Sequence, residues 1–218
     1  MNNSIIMPFE VEKEYYVDPV VLEKKPVYEF FKRVFDIVCS ILAMIVLLLP
    51  MLVVAIIVKC TSEGPAIYNQ DRLGLNGKEI MVYKFRTMYI DAEKNGAQWS
   101  KGDEDERITP VGRKLRSWRI DELPQLWNIL KGELSLVGPR PERECFYEEF
   151  EKYVHGFSQR MAVKPGLTGL AQINGGYTLK PEEKIVYDVE YIKNRGFLYD
   201  LKIIFKTVFV VFTHDGAK

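Results

Sequence analysis

The most extended hydrophobic pattern in the chain covers residues 37–58, IVCSILAMIVLLLPMLVVAIIV, and contains no charged residue. A helix of this length can cross about 30 Å of hydrocarbon. The segment follows an acidic stretch and ends without a small-residue cleavage pattern, which argues against a signal peptide. Its length and its lack of polar residues exceed what the core helix of a small soluble domain needs. The pattern therefore predicts a membrane helix that remains in the mature protein.

Pro50 lies inside this hydrophobic segment. Proline removes one backbone donor, and its ring clashes with the carbonyl of Val46, so it bends or breaks a helix. Basic residues lie on both sides of the segment, and the positive-inside rule therefore does not choose an orientation. Two interpretations stay open: a re-entrant helix that breaks and returns to the cytoplasmic face, and a spanning helix with a tolerated kink.

A β-hairpin is predicted after the hydrophobic segment. Residues 66–72 and 78–86 are prone to form strands, and they flank Asn76-Gly77, which is a strong hairpin signal. Because strand side chains alternate between two faces, Lys84 and Arg86 are expected on the same face at the end of the hairpin.

Helical patterns follow the hairpin. Thr109 followed by proline predicts the start of a helix that runs to residue 119. A second helix is predicted over residues 121–131, with Asp121 as its N-cap and Gly132 as its end. Further helices are predicted at residues 142–155 and 181–195.

Three other segments complete the pattern. Glycine and proline clusters at residues 137–142 and 164–172 predict ordered loops. Residues 200–212 are apolar, with Lys202 and Lys206 four positions apart. This spacing predicts an amphipathic helix on the membrane surface, and a buried strand or core helix is the alternative. Together the elements predict an α+β fold that is mainly helical, with one small β-hairpin.

The composition limits the possible functions. At 218 residues the chain fits one compact domain with an appendage. Thirty basic residues balance thirty acidic ones, so no overall cationic field would recruit nucleic acid. The three cysteines and two histidines are scattered, without the spacing of a disulfide framework or a metal site. We expect a reducing, cytoplasmic environment.

The candidate chemistry centres on Asp121 and Glu122. Adjacent carboxylates are common on solvated helices, but this pair has strongly basic surroundings. The nearby basic residues are Arg113, Lys114, Arg116, Arg119, Arg140 and Arg143. Guanidinium groups bind phosphate oxygens in pairs, which favours an anion site. A set of surface ion pairs without function is the alternative.

Two neighbouring carboxylates suit a specific chemistry. They can hold Mg²⁺, which prefers oxygen ligands and shares them with substrate phosphates. A carboxylate can also attack phosphorus and form an acyl phosphate, while a metal and arginines neutralise the charge. Neither the P-loop motif nor the dinucleotide-binding glycine motif occurs, so ordinary kinases and nucleotide triphosphatases are excluded as far as motifs go.

Five motifs together resemble the bacterial sugar transferase family, whose members are monotopic polyprenol-phosphate phosphoglycosyl transferases. The resemblance extends from Lys32 to the C-terminus, with the motifs in the family's order. They read KFRTM at 84–88, RITPVGRKLR at 107–116, DELPQLWN at 121–128, GELSLVGPRPE at 132–142 and KPGLTGLAQ at 164–172. The chain resembles the small, catalytic-core form of the family.

The resemblance implies a reaction in which a uridine-diphosphate sugar gives its sugar 1-phosphate to undecaprenyl phosphate and releases UMP. It implies that Asp121 is the nucleophile and Glu122 its partner, with Mg²⁺ at the pair and bound by Asp121. The implied phosphate-binding residues are Lys84, Arg86, Arg116 and Arg140. The implied substrate loop contains Pro165, Gly166, Thr168 and Gln172. A membrane-tethered scaffold without catalysis, whose arginine-rich loops bind anions, is the alternative function.

The resemblance also implies an arrangement at the membrane. The family uses a re-entrant helix broken at a proline, which Pro50 matches, although Leu49 stands where the family often has serine. Residues 1–26 would be a polar extension and residues 27–59 the re-entrant helix. Residues 60–218 would form a catalytic domain on the cytoplasmic face of the bacterial inner membrane, ending in an interfacial segment. The expected partners are the UDP-sugar, undecaprenyl phosphate and membrane lipid, with homo-oligomerisation left open.

Overall fold

The structure is a computed structural model, and it describes residues 11, 13–94, 96, 98–99 and 105–213. The helices are α1 (Pro26–Thr61), α2 (Pro110–Ser117), α3 (Gln125–Lys131), α4 (Glu144–Glu151), α5 (Leu170–Ile173), α6 (Pro181–Asn194) and α7 (Phe197–Thr213). The strands are β1 (Tyr15–Tyr16), β2 (Ile67–Leu73), β3 (Glu79–Phe85), β4 (Ser135–Val137), β5 (Val154–His155) and β6 (Gly166–Thr168). The prediction of a mainly helical fold with small β elements is confirmed.

The hydrophobic segment forms α1, a single helix of 36 residues that is about 54 Å long at 1.5 Å per residue. Within the described residues it is the one helix that is long and apolar enough to cross a membrane. Pro50 lies inside α1, and the residues on both sides of it are helical. The long apolar helix is therefore confirmed, and it continues through Pro50. Re-entry into the bilayer stays a prediction.

One stripe of α1 packs along the other elements for most of the helix. The packed positions recur every three or four residues, as expected for one face of a helix. They are Asp36, Ser40, Ala43, Met44, Leu47, Met51, Val54, Ala55 and Val58. The opposite face exposes Val34, Val38, Ile41, Leu42, Ile45, Val46, Leu48, Leu49, Leu52, Val53, Ile56 and Ile57. We call this second face the outer face of α1; it is continuous and apolar.

Polar contacts fix α1 to α3 and α7. Lys32 Nζ lies 2.6 Å from Asp200 Oδ2, near the start of α7. The guanidinium of Arg33 donates to the carbonyls of Ile129 and Leu130 at 2.6 and 2.7 Å. A cationic side chain at the C-terminal end of α3 satisfies carbonyls that have no partner inside the helix. Because α7 is helical, the strand alternative for residues 200–212 is wrong; the interfacial position stays a prediction.

The predicted hairpin is confirmed. Strands β2 and β3 are antiparallel, with Ile67 opposite Phe85. They are joined by a turn in which Asn76 and Gly77 have φ angles of 54° and 74°. This left-handed backbone is the one that glycine adopts without a steric penalty and asparagine tolerates.

Two further sheets form where no strands were predicted. β4 and β6 pair in parallel. β6 lies inside the segment 164–172 that was predicted as a loop, and β4 ends at Val137, where the predicted loop 137–142 begins. β1 pairs in parallel with β5, with Tyr15 opposite Val154, and this pairing attaches the N-terminal extension to the domain. As a consequence α4 ends at Glu151 and does not reach residue 155. Such pairings depend on residues far apart in the chain, which local patterns do not report.

The helix predicted over residues 121–131 begins later than expected. Arg119 has a left-handed backbone with φ 54°, and Ile120–Glu122 forms a 3-10 turn. Helix α3 begins only at Gln125, so Asp121 lies inside the turn and is not an N-cap. Gly132, with φ 85°, ends α3 as predicted.

Candidate active site

The turn Ile120–Glu122 places two carboxylates side by side at one end of the hairpin. Ile120 packs with Phe85 of β3 and Leu115 of α2 in the same hydrophobic cluster, which holds the turn against both elements. Asp121 and Glu122 are 5% and 4% exposed. Asp121 lines a cavity, and Glu122 lies behind it. The two carboxylates therefore have different surroundings although they are adjacent in sequence.

Glu122 is held by two cations. Lys84 Nζ, at the end of β3, donates to Glu122 Oε1 at 2.8 Å. The Arg140 guanidinium reaches both carboxylate oxygens, with Nη1 3.3 Å from Oε2. Burial by itself would raise the pKa of Glu122, but Arg140 and Lys84 more than offset burial and hold that pKa well below its usual value. Glu122 therefore stays ionised and orients both cations.

Asp121 has no such partner. No described residue donates a hydrogen bond to its carboxylate, which faces the cavity. Burial, followed by repulsion from Glu122, raises the pKa of Asp121 to about 6, against the opposing effect of Lys84. A buried carboxylate that is ionised near neutral pH, and to which none of the residues in the described part of the chain donates, is available to act as a nucleophile or a metal ligand.

The cavity beside Asp121 has a volume of about 340 Å³ and carries a large excess of positive charge. Its basic lining residues are Arg72, Lys84, Arg86, Arg107, Arg116, Arg119, Arg140, Arg143 and Lys184. Its acidic lining residues are Glu93, Asp121 and Glu142. Because the net charge of the whole chain is zero, this excess is local. It suits a ligand with several phosphate oxygens.

The four predicted phosphate-binding residues all line this cavity, but they differ in their contacts. Arg116 Nε donates to Thr87 Oγ1 at 2.8 Å, and its charge lowers the pKa of Asp121. Arg86 instead donates to backbone carbonyls that follow α1, among them Ser62 at 2.9 Å and Pro65 at 2.8 Å. Arg86 thus stabilises the end of α1, and this structural role was not predicted.

Of the four residues in the predicted substrate loop, only Gln172 is among the residues that line the cavity. Its buried side-chain amide has no hydrogen-bond partner among the described residues. The other three residues contact neighbouring segments of the chain instead. Thr168 Oγ1 lies 2.7 Å from Thr207 Oγ1 of α7, and the Pro165 carbonyl accepts from the Ser135 N–H at 2.8 Å. Gly166 packs so closely on Gly138 that a side chain would overlap the backbone.

A second group of buried charges near this cavity was not predicted. Glu142 Oε2 lies 3.1 Å from Arg72 Nη1, and Glu142 Oε1 lies 3.8 Å from Lys184 Nζ. Arg160 and Asp188 form a fully buried ion pair at 2.7 Å. One signal in the sequence could have found part of this group: Lys184 and Asp188 are four residues apart and therefore share one helix face.

The site has donor atoms that suit Mg²⁺. This ion is usually held by one or two carboxylates together with substrate phosphates and water. Asp121 offers a carboxylate that is not engaged by any described side chain. The described residues contain no group of three or more histidine, cysteine or acidic residues that would hold a metal by itself. A phosphate-bearing substrate would therefore have to complete the coordination.

The chain is similar in sequence to one known protein family and to several named proteins. The family model for bacterial sugar transferases matches residues 27–214. The UDP-glucose:undecaprenyl-phosphate glucose-1-phosphate transferase of Klebsiella pneumoniae is 45% identical over 192 residues, which cover 86% of this chain and 41% of that protein. The UDP-N-acetylgalactosamine-undecaprenyl-phosphate N-acetylgalactosaminephosphotransferase of Aeromonas hydrophila is 40% identical over 196 residues, 88% of this chain and 46% of that protein.

These two relatives are longer proteins, and the chain spans less than half of the length of each. A glucose-1-phosphate transferase of Caulobacter vibrioides, also named for UDP-glucose and undecaprenyl phosphate, is 40% identical over 192 residues. That match covers 85% of this chain and 71% of the relative. The similarity therefore includes both the apolar helix and the site around Asp121.

Proposed function

The chain belongs to the bacterial sugar transferase family, and from this membership we propose that it transfers a sugar 1-phosphate from a UDP-sugar to undecaprenyl phosphate and releases UMP. The main support for the proposal is the carboxylate of Asp121, which accepts no hydrogen bond from a described residue and lies in a cavity lined by nine basic residues. Relatives at 40% to 45% identity are named for this class of reaction. The product would begin the assembly of a surface polysaccharide or glycoconjugate.

The proposed reaction has two steps. In the first, a carboxylate oxygen of Asp121 attacks the β-phosphorus of the donor; an O–P bond forms, the bond to the bridging oxygen breaks, and UMP leaves with the electron pair. In the second, a phosphate oxygen of undecaprenyl phosphate attacks the same phosphorus. The bond to Asp121 breaks, which regenerates the carboxylate and yields the polyprenyl-diphosphate sugar.

The neighbouring charges support each step. Glu122 holds Lys84 and Arg140 beside the nucleophile, where the two cations can neutralise charge that develops on the phosphate oxygens. The charges of Lys84 and Arg116 lower the pKa of Asp121 and so favour its ionised form. Mg²⁺ bound by Asp121 and the donor phosphates would supply further charge neutralisation.

The direct test is Mg²⁺-dependent release of UMP by the purified protein, with UDP-glucose, UDP-galactose and UDP-N-acetylgalactosamine as donors and undecaprenyl phosphate as acceptor. Asp121→Asn should abolish turnover while the protein stays folded and membrane-associated. Asp91→Asn, which removes an exposed carboxylate, is the matched control and should remain active. Failure of the wild-type protein to consume any UDP-sugar would favour a non-catalytic scaffold.

The phospho-aspartate intermediate needs its own experiment. With donor but no acceptor lipid, a two-step enzyme should release UMP in an amount close to one equivalent per active site and then stop. Glu122→Gln should reduce this burst strongly, because Lys84 and Arg140 lose their ionised partner. Absence of UMP release until the acceptor is added would indicate direct transfer instead.

We also propose that α1 bends at Pro50, enters the cytoplasmic leaflet of the inner membrane and returns to the same side. Both ends of α1 lie against the same domain: Arg195 donates to the carbonyl of Glu23, just before α1, and Arg86 binds carbonyls just after it. A helix that crosses the bilayer would separate these two ends by the thickness of the membrane. This arrangement favours re-entry over a spanning helix.

Cysteine labelling in intact spheroplasts tests this topology. In a Cys39→Ser, Cys145→Ser background, native Cys60 reports on the end of α1, and Asp18→Cys with Cys60→Ser reports on the extension before it. Re-entry predicts that a membrane-impermeant maleimide labels neither position until the membrane is permeabilised. Labelling of one of the two in intact cells would show that α1 spans the membrane.

A further inference from the structure

Lys184 extends from α6 into the same cavity as Asp121. Its side chain is 8% exposed. The ammonium group lies 4.4 Å from the centre of the Trp99 ring and 3.8 Å from Glu142 Oε1. Burial is the main reason why the pKa of Lys184 falls to about 8, and the nearby Glu142 carboxylate acts in the opposite direction. A buried lysine at the wall of a ligand cavity needs an explanation, because burying a charge is unfavourable unless it is paired.

The pairing with Glu142 is incomplete. A separation of 3.8 Å is longer than a direct N–H···O hydrogen bond, which is 2.7–3.2 Å on average. No described acceptor lies within hydrogen-bond distance of Lys184 Nζ. The other oxygen of Glu142 is engaged by Arg72 at 3.1 Å. Lys184 and Glu142 Oε1 therefore present an unused donor and an acceptor side by side, both on the wall of the cavity.

This combination has a specific chemical complement. A hydroxyl group can accept a hydrogen bond from the ammonium and donate one to the carboxylate at the same time. A phosphate group fits less well, because its negative charge would lie beside the Glu142 carboxylate. The rings of Trp99 and Phe146 line the adjacent wall and offer an apolar surface to the C–H groups of a ring that carries hydroxyls.

Resting on the proposed function, we propose that Lys184 and Glu142 bind a hydroxyl group of the sugar that is transferred, and so contribute to donor specificity. Pro141 alone separates Glu142 from Arg140, which contacts Glu122 of the catalytic pair. In a UDP-sugar the transferred sugar is bonded to the reacting β-phosphate, whereas the ribose lies beyond the second phosphate. Because Lys184 lies close to Glu142 and Arg140, we assign it to the transferred sugar.

Calorimetric titration of the Asp121→Asn protein tests the assignment without turnover. The probes are UDP-glucose, UDP-galactose, UDP-N-acetylgalactosamine and UMP, at constant Mg²⁺ concentration. Lys184→Met in this background should weaken binding of the best UDP-sugar about ten- to hundredfold, the range expected for a hydrogen bond to a charged group. UMP affinity should change less than about twofold. Lys193→Met, an exposed lysine on the same helix, is the matched control and should change neither affinity.

A second variant separates binding from folding. Glu142→Gln keeps the shape of the side chain and removes its charge, and we expect it to weaken UDP-sugar binding while UMP binding is retained. Unchanged UDP-sugar affinity in Lys184→Met would overturn the proposal. An equal loss of UMP affinity would also overturn it, since Lys184 would then serve the nucleotide or the fold. If the wild-type protein binds UDP-sugars but releases no UMP, the proposed function fails and these affinities still decide the role of Lys184.

Discussion

At the scale of single residues, the surroundings of a charged group decide what it can do. Asp121 and Glu122 are chemically similar neighbours, yet Glu122 is engaged by Lys84 and Arg140 while Asp121 faces the cavity without a described hydrogen-bond donor. This difference follows from the 3-10 turn, which directs consecutive side chains to different sides. The carboxylate that faces the cavity and the carboxylate that holds the cations are therefore distinct.

The lowered pKa of Lys184 predicts that binding of the UDP-sugar depends on pH. Its pKa of about 8 means that the ammonium is charged below that pH and neutral above it. Glu142 keeps a lowered pKa and stays ionised. We therefore expect the affinity for the UDP-sugar, relative to that for UMP, to fall several-fold as the pH rises through about 8, because charged hydrogen bonds are the stronger ones.

The comparison with UMP is needed because Lys84, a residue of the proposed phosphate site, also has a pKa lowered to about 8, again mainly by burial. Titration of Lys84 should affect both ligands, and the ratio of affinities isolates Lys184. The charged groups that face Lys184 are Glu142, Arg140, Arg160 and Asp188. Lys184→Arg, which stays charged throughout this range, should abolish the pH dependence of the ratio; persistence of that dependence would contradict its assignment to Lys184.

At the scale of elements, close backbone contacts set the positions of the site residues. Gly112 of α2 packs directly on the carbonyl of Thr87, the residue after Arg86, and a Cβ there would overlap that backbone. This contact brings α2, which carries Arg116, against the end of the hairpin, which carries Lys84. A small residue in α2 is thus a condition for the cation arrangement around Asp121.

Gly112→Ala tests this contact. The added methyl group should force α2 away from Thr87 and lower the free energy of unfolding by about 1–3 kcal/mol, the usual cost of overpacking. Activity should fall as well, since Arg116 moves with the helix. Chemical denaturation and UMP release measure the two effects. Gly196→Ala is the control, because the nearest atom to its Cβ would be 3.9 Å away; similar behaviour of the two variants would argue against the steric explanation.

At the scale of the whole molecule, α1 combines two surfaces. One stripe packs on the domain, and the outer face is continuous and apolar. Lys32 and Arg33 hold the first part of the helix to α7 and α3. The outer face of α1 carries twelve exposed apolar residues in a continuous row, and large exposed apolar patches mark membrane or protein contacts, which favours lipid as its partner.

Val46→Arg tests the outer face of α1. Val46 is 74% exposed in the middle of that face, and an arginine in hydrocarbon costs about 2.5–3.5 kcal/mol on insertion scales. We expect the membrane-bound fraction after sedimentation to fall. Val186→Arg is the matched control, because Val186 on α6 is 64% exposed and lies outside α1. Equal membrane binding of the two variants would show that the outer face does not contact lipid.

The sequence by itself determined the elements that depend on neighbouring residues. The apolar helix follows from an uninterrupted run of hydrophobic residues, and the hairpin follows from Asn76-Gly77, because turn geometry is local. The start of α2 is also local: Thr109 accepts a hydrogen bond from the Gly112 N–H at 2.9 Å. The family motifs pointed to Asp121 and Glu122, whose assignment as the catalytic pair stays a prediction.

Only the tertiary structure decided which charges meet. Lys84 and Glu122 are 38 residues apart, and Lys184 lies on α6 whereas Glu142 lies in the loop between β4 and α4. The parallel pairs β1–β5 and β4–β6 likewise join distant segments. Such contacts join residues that are far apart in the chain, and no local pattern encodes which distant residues meet. For this reason the sequence located the site around Asp121, whereas the fold showed that Arg86 supports α1 and that Lys184 belongs to the cavity.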